Sequence, residues 1–196
     1  MIRILVDDKV YRPSDDSSLL LEATKYAGGD VLDLCAGSGI IGLNAAAKSR
    51  KVTLVDINKN ALELIKENAE INNIKTYEVV RSDLFSNLGG RKFDVIYMNP
   101  PYLPGKVKKA DYLDMATIGG KRGYELTVRA IKKIPAHLKK NGFAFIILST
   151  AYDTNKVYKL LESINFKFSV IDTKKFFFEE LILIKIYEKR RHSICK

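Results

Sequence analysis

Short apolar runs alternate along this chain with stretches whose apolar residues recur every three or four positions, and the alternation predicts its elements. "DVLDLC" at 30–35 predicts a buried strand, followed by a Gly-rich turn and a helix over "IIGLNAAAKS". Next come a strand "KVTLVDI" at 51–57 and a helix from Lys59, with Asn58 as its N-cap and Ala61, Ile65 and Ala69 along one face. Strands "TYEVVRS" and "KFDVIYM" precede a helix with Leu126, Ala130, Ile134 and Leu138 at helical spacing, bent at Pro135 and stopped by Asn141-Gly142. After strand "FAFIILS" and a helix carrying Val157, Leu160, Leu161 and Ile164 come two late runs, "FKFSVIDT" and "ELILIKIYE". Strands that alternate with helices predict an α/β fold, a doubly wound, mostly parallel seven-strand sheet with helices on both faces. The last two strands have no helix between them, so they are expected to form an antiparallel hairpin at the C-terminal edge.

Two segments break this regular pattern. "VYRPSDDSS" at 10–18 precedes a helix containing Leu19 to Leu21 and is rich in capping residues. The stretch 103–121 is long for a connection in one domain, and such loops commonly bind ligands or lack order.

A length of 196 residues, 46% hydrophobic, suits one core, so residues 1–188 are read as a single domain and 189–196 as a basic tail. No apolar run approaches the roughly 18 residues of a membrane span, and "MIRILVDDKV" is too charged for a secretory signal. The expected location is cytoplasmic. Cys35 and Cys195 lie far apart and are joined only by His137 and His192, which gives no basis for a disulfide or a metal site. The net charge of +10 suggests an anionic partner, although lysine is also a common solubilising residue. Part of the excess is local: "KRRHSICK" holds four Lys/Arg without an acid, and residues 126–140 hold five.

Candidate chemistry gathers at strand ends, where open parallel sheets bind their ligands. Gly37, Gly39 and Gly42 have the G-x-G-x-x-G spacing, a weak signal alone because any tight strand-to-helix turn needs glycine. Context sharpens it, since Asp56 closes the next strand and its carboxylate can accept both hydrogen bonds of a ribose diol. A dinucleotide would place its pyrophosphate at the helix N-terminus, where Asp33 would repel it. S-adenosylmethionine has no phosphate and carries an amino group that Asp33 suits. Asp83 can accept from the adenine amino group while Leu84 and Phe85 cover a ring. The three acids at successive strand ends favour S-adenosylmethionine over a nicotinamide cofactor, which would leave Asp83 unexplained.

With "DLCAGSGIIG", "VDIN", "SDLF" and "NPPY" in this order, nearly the whole chain resembles the class I, Rossmann-like methyltransferases. It departs in having Cys35-Ala36 where such families often show a glycine. The resemblance implies cofactor contacts from Asp33, Ala36, Gly37 and Gly39, from Asp56 and Ile57, from Asp83 and Leu84, and from Asn99.

"NPPY", residues 99 to 102, suits the other reactant. An amide or aromatic NH2 is a poor nucleophile because its lone pair is delocalised, so it must be held in line with the leaving sulfur. The Asn99 side-chain oxygen and the Pro100 carbonyl can accept both its hydrogens, Pro100 and Pro101 stiffen the chain, and Tyr102 can stack on the flat group. A turn formed by Asn-Pro beside an edge tyrosine is the alternative, and the upstream acids favour the clamp over it. The clamp does not choose between glutamine, adenine and guanine.

"YRPSDDS" and "GGKRG" resemble the HemK-like glutamine methyltransferases of the short archaeal and eukaryotic branch, which modify the Gly-Gly-Gln motif of class 1 translation termination factors. That resemblance implies a segment, within residues 1–29, covering cofactor and acceptor, with Asp16 in contact with both. It also implies acceptor contacts from Tyr11, Pro13, Gly119 and Gly120, and a small zinc-binding partner subunit. A DNA methyltransferase would need a further recognition domain. An RNA adenine or guanine amine methyltransferase, supported by the basic tail, stays as the alternative, and an NAD-dependent oxidoreductase ranks below it.

Overall fold

The computed structural model describes residues 2–107 and 111–189. Seven strands form the main sheet: β1 (Asp30–Leu34), β2 (Lys51–Asp56), β3 (Tyr77–Arg81), β4 (Phe93–Met98), β7 (Leu138–Ser149), β8 (Phe166–Lys175) and β9 (Glu180–Glu188). Their order is β3-β2-β1-β4-β7-β9-β8. The first five run parallel, with Val31 opposite both Val52 and Val95 and Leu34 opposite both Val55 and Met98. The expected C-terminal hairpin is present, and β9 lies inside the sheet, antiparallel to both β7 and β8.

Strand alternation sends successive side chains to opposite faces, which is why two cores form. Leu32, Leu34, Ile96, Met98, Ile146 and Leu148 meet α5 (Glu125–His137) and α6 (Asn155–Ser163) through Ala130, Ile131, Ile134, Val157 and Leu161. On the other face Val31, Val95, Tyr97, Phe145 and Ile147 meet α1 (Asp15–Leu21), α2 (Ile40–Ala45) and α3 (Lys59–Ile71). The predicted faces hold: Ile65 and Ala69 of α3 are fully buried, and the Asn58 side chain caps that helix at the Asn60 N–H.

Three boundaries differ from the sequence reading. Helix α2 gives way at Ala46 to a 3₁₀ turn ending at Lys48, earlier than expected. Helix α5 ends at His137 instead of Asn141-Gly142. Pro135 removes a backbone donor from its last turn, and Leu138 already pairs with Phe93 as β7 begins. Asn141 then takes a left-handed conformation (φ 68°) within the strand, where the β4–β7 register shifts. Residues 103–121, expected as a loop, contain β5 (Leu103–Pro104), α4 (Tyr112–Thr117) and β6 (Ile118–Gly120), with β5 and β6 paired in parallel. Asp111 caps α4 by accepting from the N–H groups of Leu113 and Asp114 at 3.0 and 3.1 Å.

The N-terminal segment is strapped along α3. Asn72 bonds both backbone groups of Arg3, and Asn68, fully buried, does the same for Leu5. Asn58 Nδ2 donates to the Lys9 carbonyl at 2.7 Å. This strap delivers Val10 and Tyr11 to the carboxyl ends of β1 and β2. Among the described residues no helix is long and apolar enough to cross a membrane. The basic tail falls almost wholly, from residue 190 on, outside the described residues.

Candidate functional site

A cavity of about 580 Å³ opens at the carboxyl ends of β1, β2 and β4, where the connections from β1 and β4 diverge to opposite faces of the sheet. Its first wall is the turn after β1. Gly37 takes φ 53° with open space where a Cβ would stand, so the chain leaves room there for a ligand. Gly39 takes φ 80°, and a Cβ on it would press to 2.9 Å from Ile65 on α3. The glycine spacing thus serves one residue facing the cavity and one packed against a helix. Ala36 lines the cavity, and its N–H is bonded to the Val55 carbonyl at 3.0 Å.

Two acids fasten this wall. Asp56 accepts from the Gly37 N–H through one oxygen and from the Asn58 N–H through the other, each at 2.9 Å. Burial pushes its carboxyl upward against the opposing effect of those hydrogen bonds. Asp33 is only 2% exposed and accepts from the Gly42 N–H at 2.8 Å. Burial, with the neighbouring Asp56 charge, pushes it up to about 7. Burial likewise raises the Cys35 thiol, which lines the same wall.

Ile57 is 45% exposed on the rim of the cavity. Asp83 lines it too and is engaged by Arg129 of α5 at 2.6 Å. The sequence offered no sign of that cation, because 46 residues separate the pair. Leu84 lines the cavity from a left-handed backbone (φ 50°). Phe85 differs from expectation: it turns into the core and stacks on His137 with ring centroids 4.5 Å apart.

The second wall comes from the end of β4. Asn99, Pro100, Pro101 and Tyr102 all line the cavity. Asn99 Oδ1 is buried, and among the described residues no donor reaches it. A buried acceptor left without a partner costs on the order of 1–3 kcal/mol, so a ligand donor is the physical complement of this atom. Asp16, 3% exposed, receives the Tyr11 hydroxyl at 3.1 Å and the Tyr102 hydroxyl at 3.4 Å on one oxygen. Its other oxygen accepts from the Ser17 N–H at 2.6 Å. Burial, then the Asp16 charge, raises both tyrosines well above the usual phenol range. Pro13 joins the same wall.

Gly119 and Gly120 do not line the cavity. They stand behind the clamp, where a Cβ on Gly119 would overlap the carbonyl oxygens of Pro101 and Gly123. The Thr117 carbonyl, just before them, accepts from the Tyr102 N–H at 3.0 Å. Their place is that of a buttress, which removes the geometric basis for a direct acceptor contact. A residue that sequence reasoning missed, Glu179, reaches the cavity from the β8–β9 turn and accepts from the Ser149 hydroxyl at 2.6 Å. Only strand pairing brings it there, and no motif marks it. Among the described residues no group of three or more His, Cys, Asp or Glu could hold a metal ion.

The cavity therefore joins an acidic, backbone-fastened wall to one presenting an unpartnered amide oxygen. Comparison with known proteins gives the same picture of kinship. The model of the methyltransferase small domain family matches residues 12–178. A Methanocaldococcus jannaschii protein provisionally described as a protein N5-glutamine methyltransferase is 40% identical over 190 residues, covering 95% of each chain. The release factor glutamine methyltransferase of Aquifex aeolicus is 37% identical over 150 residues, 70% of this chain and 52% of that protein, so this chain spans about half of its length. Among solved structures, Mtq2 in the E. cuniculi Mtq2–Trm112 complex, described as responsible for methylation of the eRF1 translation termination factor, shares the fold. The TM-score is 0.74 at 23% identity, over 92% of this chain and 99% of that one.

Proposed function

We propose, because the chain belongs to the methyltransferase small domain family, that it transfers a methyl group from S-adenosylmethionine to the side-chain nitrogen of a glutamine in the Gly-Gly-Gln segment of a class 1 translation termination factor. The observation that carries this reading is the buried, unpartnered Asn99 Oδ1 in a cavity shared with the glycine turn and Asp56. S-adenosylmethionine, when bound, supplies a methyl group activated on a sulfonium. Gly37 leaves room for the cofactor, Asp56 has lone pairs left for a ribose diol, and Asp33 lies where a cationic amino group gains most. Ala36, Ile57, Asp83 and Leu84 complete that wall.

On the acceptor side Asn99 Oδ1 takes one N–H of the glutamine amide and the Pro100 carbonyl takes the other. Held by both hydrogens in the plane, the nitrogen presents its face to the methyl group. With the methyl delivered to that nitrogen, the sulfonium would leave as a neutral thioether and one N–H proton would pass to water. Tyr102 covers the amide, with Asp16 fixing its hydroxyl and that of Tyr11. The kinship with glutamine methyltransferases supports this acceptor over a nucleobase, and a small partner protein like the one in the Mtq2–Trm112 complex is part of the reading. The proposed place of work is the cytoplasm, where termination factors act, and residues 1–188 are taken as the catalytic unit.

A labelled-cofactor assay tests it on the termination factor, its Gln-substituted variant, tRNA, rRNA and DNA, each with and without the partner. Label in the factor alone, lost on substituting the glutamine, is the expected result. Label in RNA and none in the factor would transfer the reading to an RNA amine methyltransferase.

A further inference from the structure

The turn between β8 and β9 carries two aromatic rings almost wholly in water. Phe177 is 93% exposed and Phe178 91%, and the rings rest edge to face with centroids 4.7 Å apart. Single apolar residues on a surface are ordinary, whereas two adjacent, fully exposed phenylalanines beside the cavity-lining Glu179 form an apolar patch fit for contact with another molecule. The turn that bears them is tied at its base. The Phe176 N–H donates to the Glu179 carbonyl at 2.7 Å, and Glu180 exchanges hydrogen bonds with Thr150 at 2.8 and 3.0 Å. Its place at the mouth is set by Glu179, the next residue, whose carboxylate lines the cavity and is held by Ser149. Leu103 and Val107, 40% and 47% exposed, line the same cavity from the β5 side.

We propose that Phe177 and Phe178 are the anchor on which the polypeptide acceptor docks while its methyl-accepting side chain enters the cavity. The inference rests on the acceptor reading above and adds the surface that selects it. Aromatic side chains, phenylalanine among them, are enriched where protein surfaces meet. Charge separates a polypeptide from a nucleic acid as the occupant. Glu179 and Glu180 flank the rings on one side, Lys174 and Lys175 on the other, and Lys174 is already paired with Asp15 at 2.7 Å. With Lys174 so paired, the carboxylates of Glu179, Glu180 and Asp16 outnumber the remaining lysine at the mouth and oppose the approach of phosphates there, against the +10 charge of the whole chain.

The test compares the wild type with the double variant Phe177→Ser/Phe178→Ser on two acceptors: the folded termination factor and a heptapeptide carrying its Gly-Gly-Gln segment. The expected result is a KM for the factor raised about tenfold or more, as for loss of a central aromatic anchor, with kcat and cofactor affinity unchanged. Both proteins should turn over the heptapeptide, which lacks the folded surface of the factor that docks on the rings, equally well. An unchanged KM for the factor overturns the anchor, as does an equal loss on both acceptors, which reports general damage. Restoration of the factor KM by excess partner protein overturns it too, because the rings would then hold the partner. A wild type that labels neither acceptor overturns the acceptor reading and the anchor with it.

Discussion

The two walls of the cavity are finished to different degrees. On the glycine-turn wall, Asp33 and Asp56 spend their oxygens on three backbone N–H groups, so the wall holds its shape through its own hydrogen bonds. On the clamp wall, Asn99 is stiffly placed by two prolines and yet its oxygen has no donor among the described residues. A wall satisfied within itself binds by shape and by spare lone pairs. One left short of a donor is completed by its ligand, and discriminates strongly against anything lacking an N–H at that point.

The sharpest way to break this contrast is Asn99→Ala. It should lower kcat by about 10²- to 10³-fold, the scale for losing one oriented hydrogen-bonding group, while calorimetry finds cofactor affinity nearly unchanged. Protein stability should hold or rise, since the variant removes an unsatisfied buried oxygen.

Asp56→Ala should act on the other wall and in the other parameter. Its charge-assisted bonds to Gly37 and Asn58 and its spare lone pairs are together worth roughly 2–4 kcal/mol. Calorimetry should show the cofactor weakened by about 10- to 100-fold, and denaturant titration a lower midpoint, because two backbone donors lose their acceptor.

Gly119→Ala probes the buttress. The added methyl meets the Pro101 and Gly123 carbonyls, and overpacking of that kind costs about 1–3 kcal/mol. Thermal unfolding should register the cost, and methyl transfer should slow while cofactor affinity stays, since only the clamp moves.

A further prediction concerns pH. Asp33 is raised in the folded protein to about 7, so the native state holds a proton that the unfolded chain releases at lower pH. Its contribution to stability is therefore full below the ordinary carboxyl range and is lost as pH rises to about 7. Asp33→Asn keeps an acceptor for Gly42 and should flatten that part of the curve. Urea titrations between pH 4.5 and 8 should show the wild type losing stability relative to the variant as pH rises.

What could be read in the sequence follows from how local each cause is. The strands, the glycine turn and the Asn-Pro-Pro-Tyr segment are set by neighbours in the chain, and the cavity brings Asp16, Asp33, Asp56, Asp83 and Asn99 together. Phe85 was misplaced because a period-based reading cannot tell which side of a turn faces the core, and His137 claims that ring from a distant helix. The "GGKRG" glycines looked like ligand contacts, since a glycine needed for close backbone approach and one needed for a ligand leave the same mark. Glu179 and Arg129 reach the cavity only through strand β9 and helix α5, so no short window of sequence contains their reason for being there.

The position of β9 inside the sheet also sets a timetable for the protein's birth. A ribosome releases β7 well before β9, so β7 waits with one open edge, and β8 has no neighbour at all until the last strand slides between them. Glu179, at the head of that strand, comes into place in the same event. A nascent chain arrested before residue 180 therefore holds both glycine turn and clamp while β7 still lacks its second neighbour and Glu179 has no strand to place it.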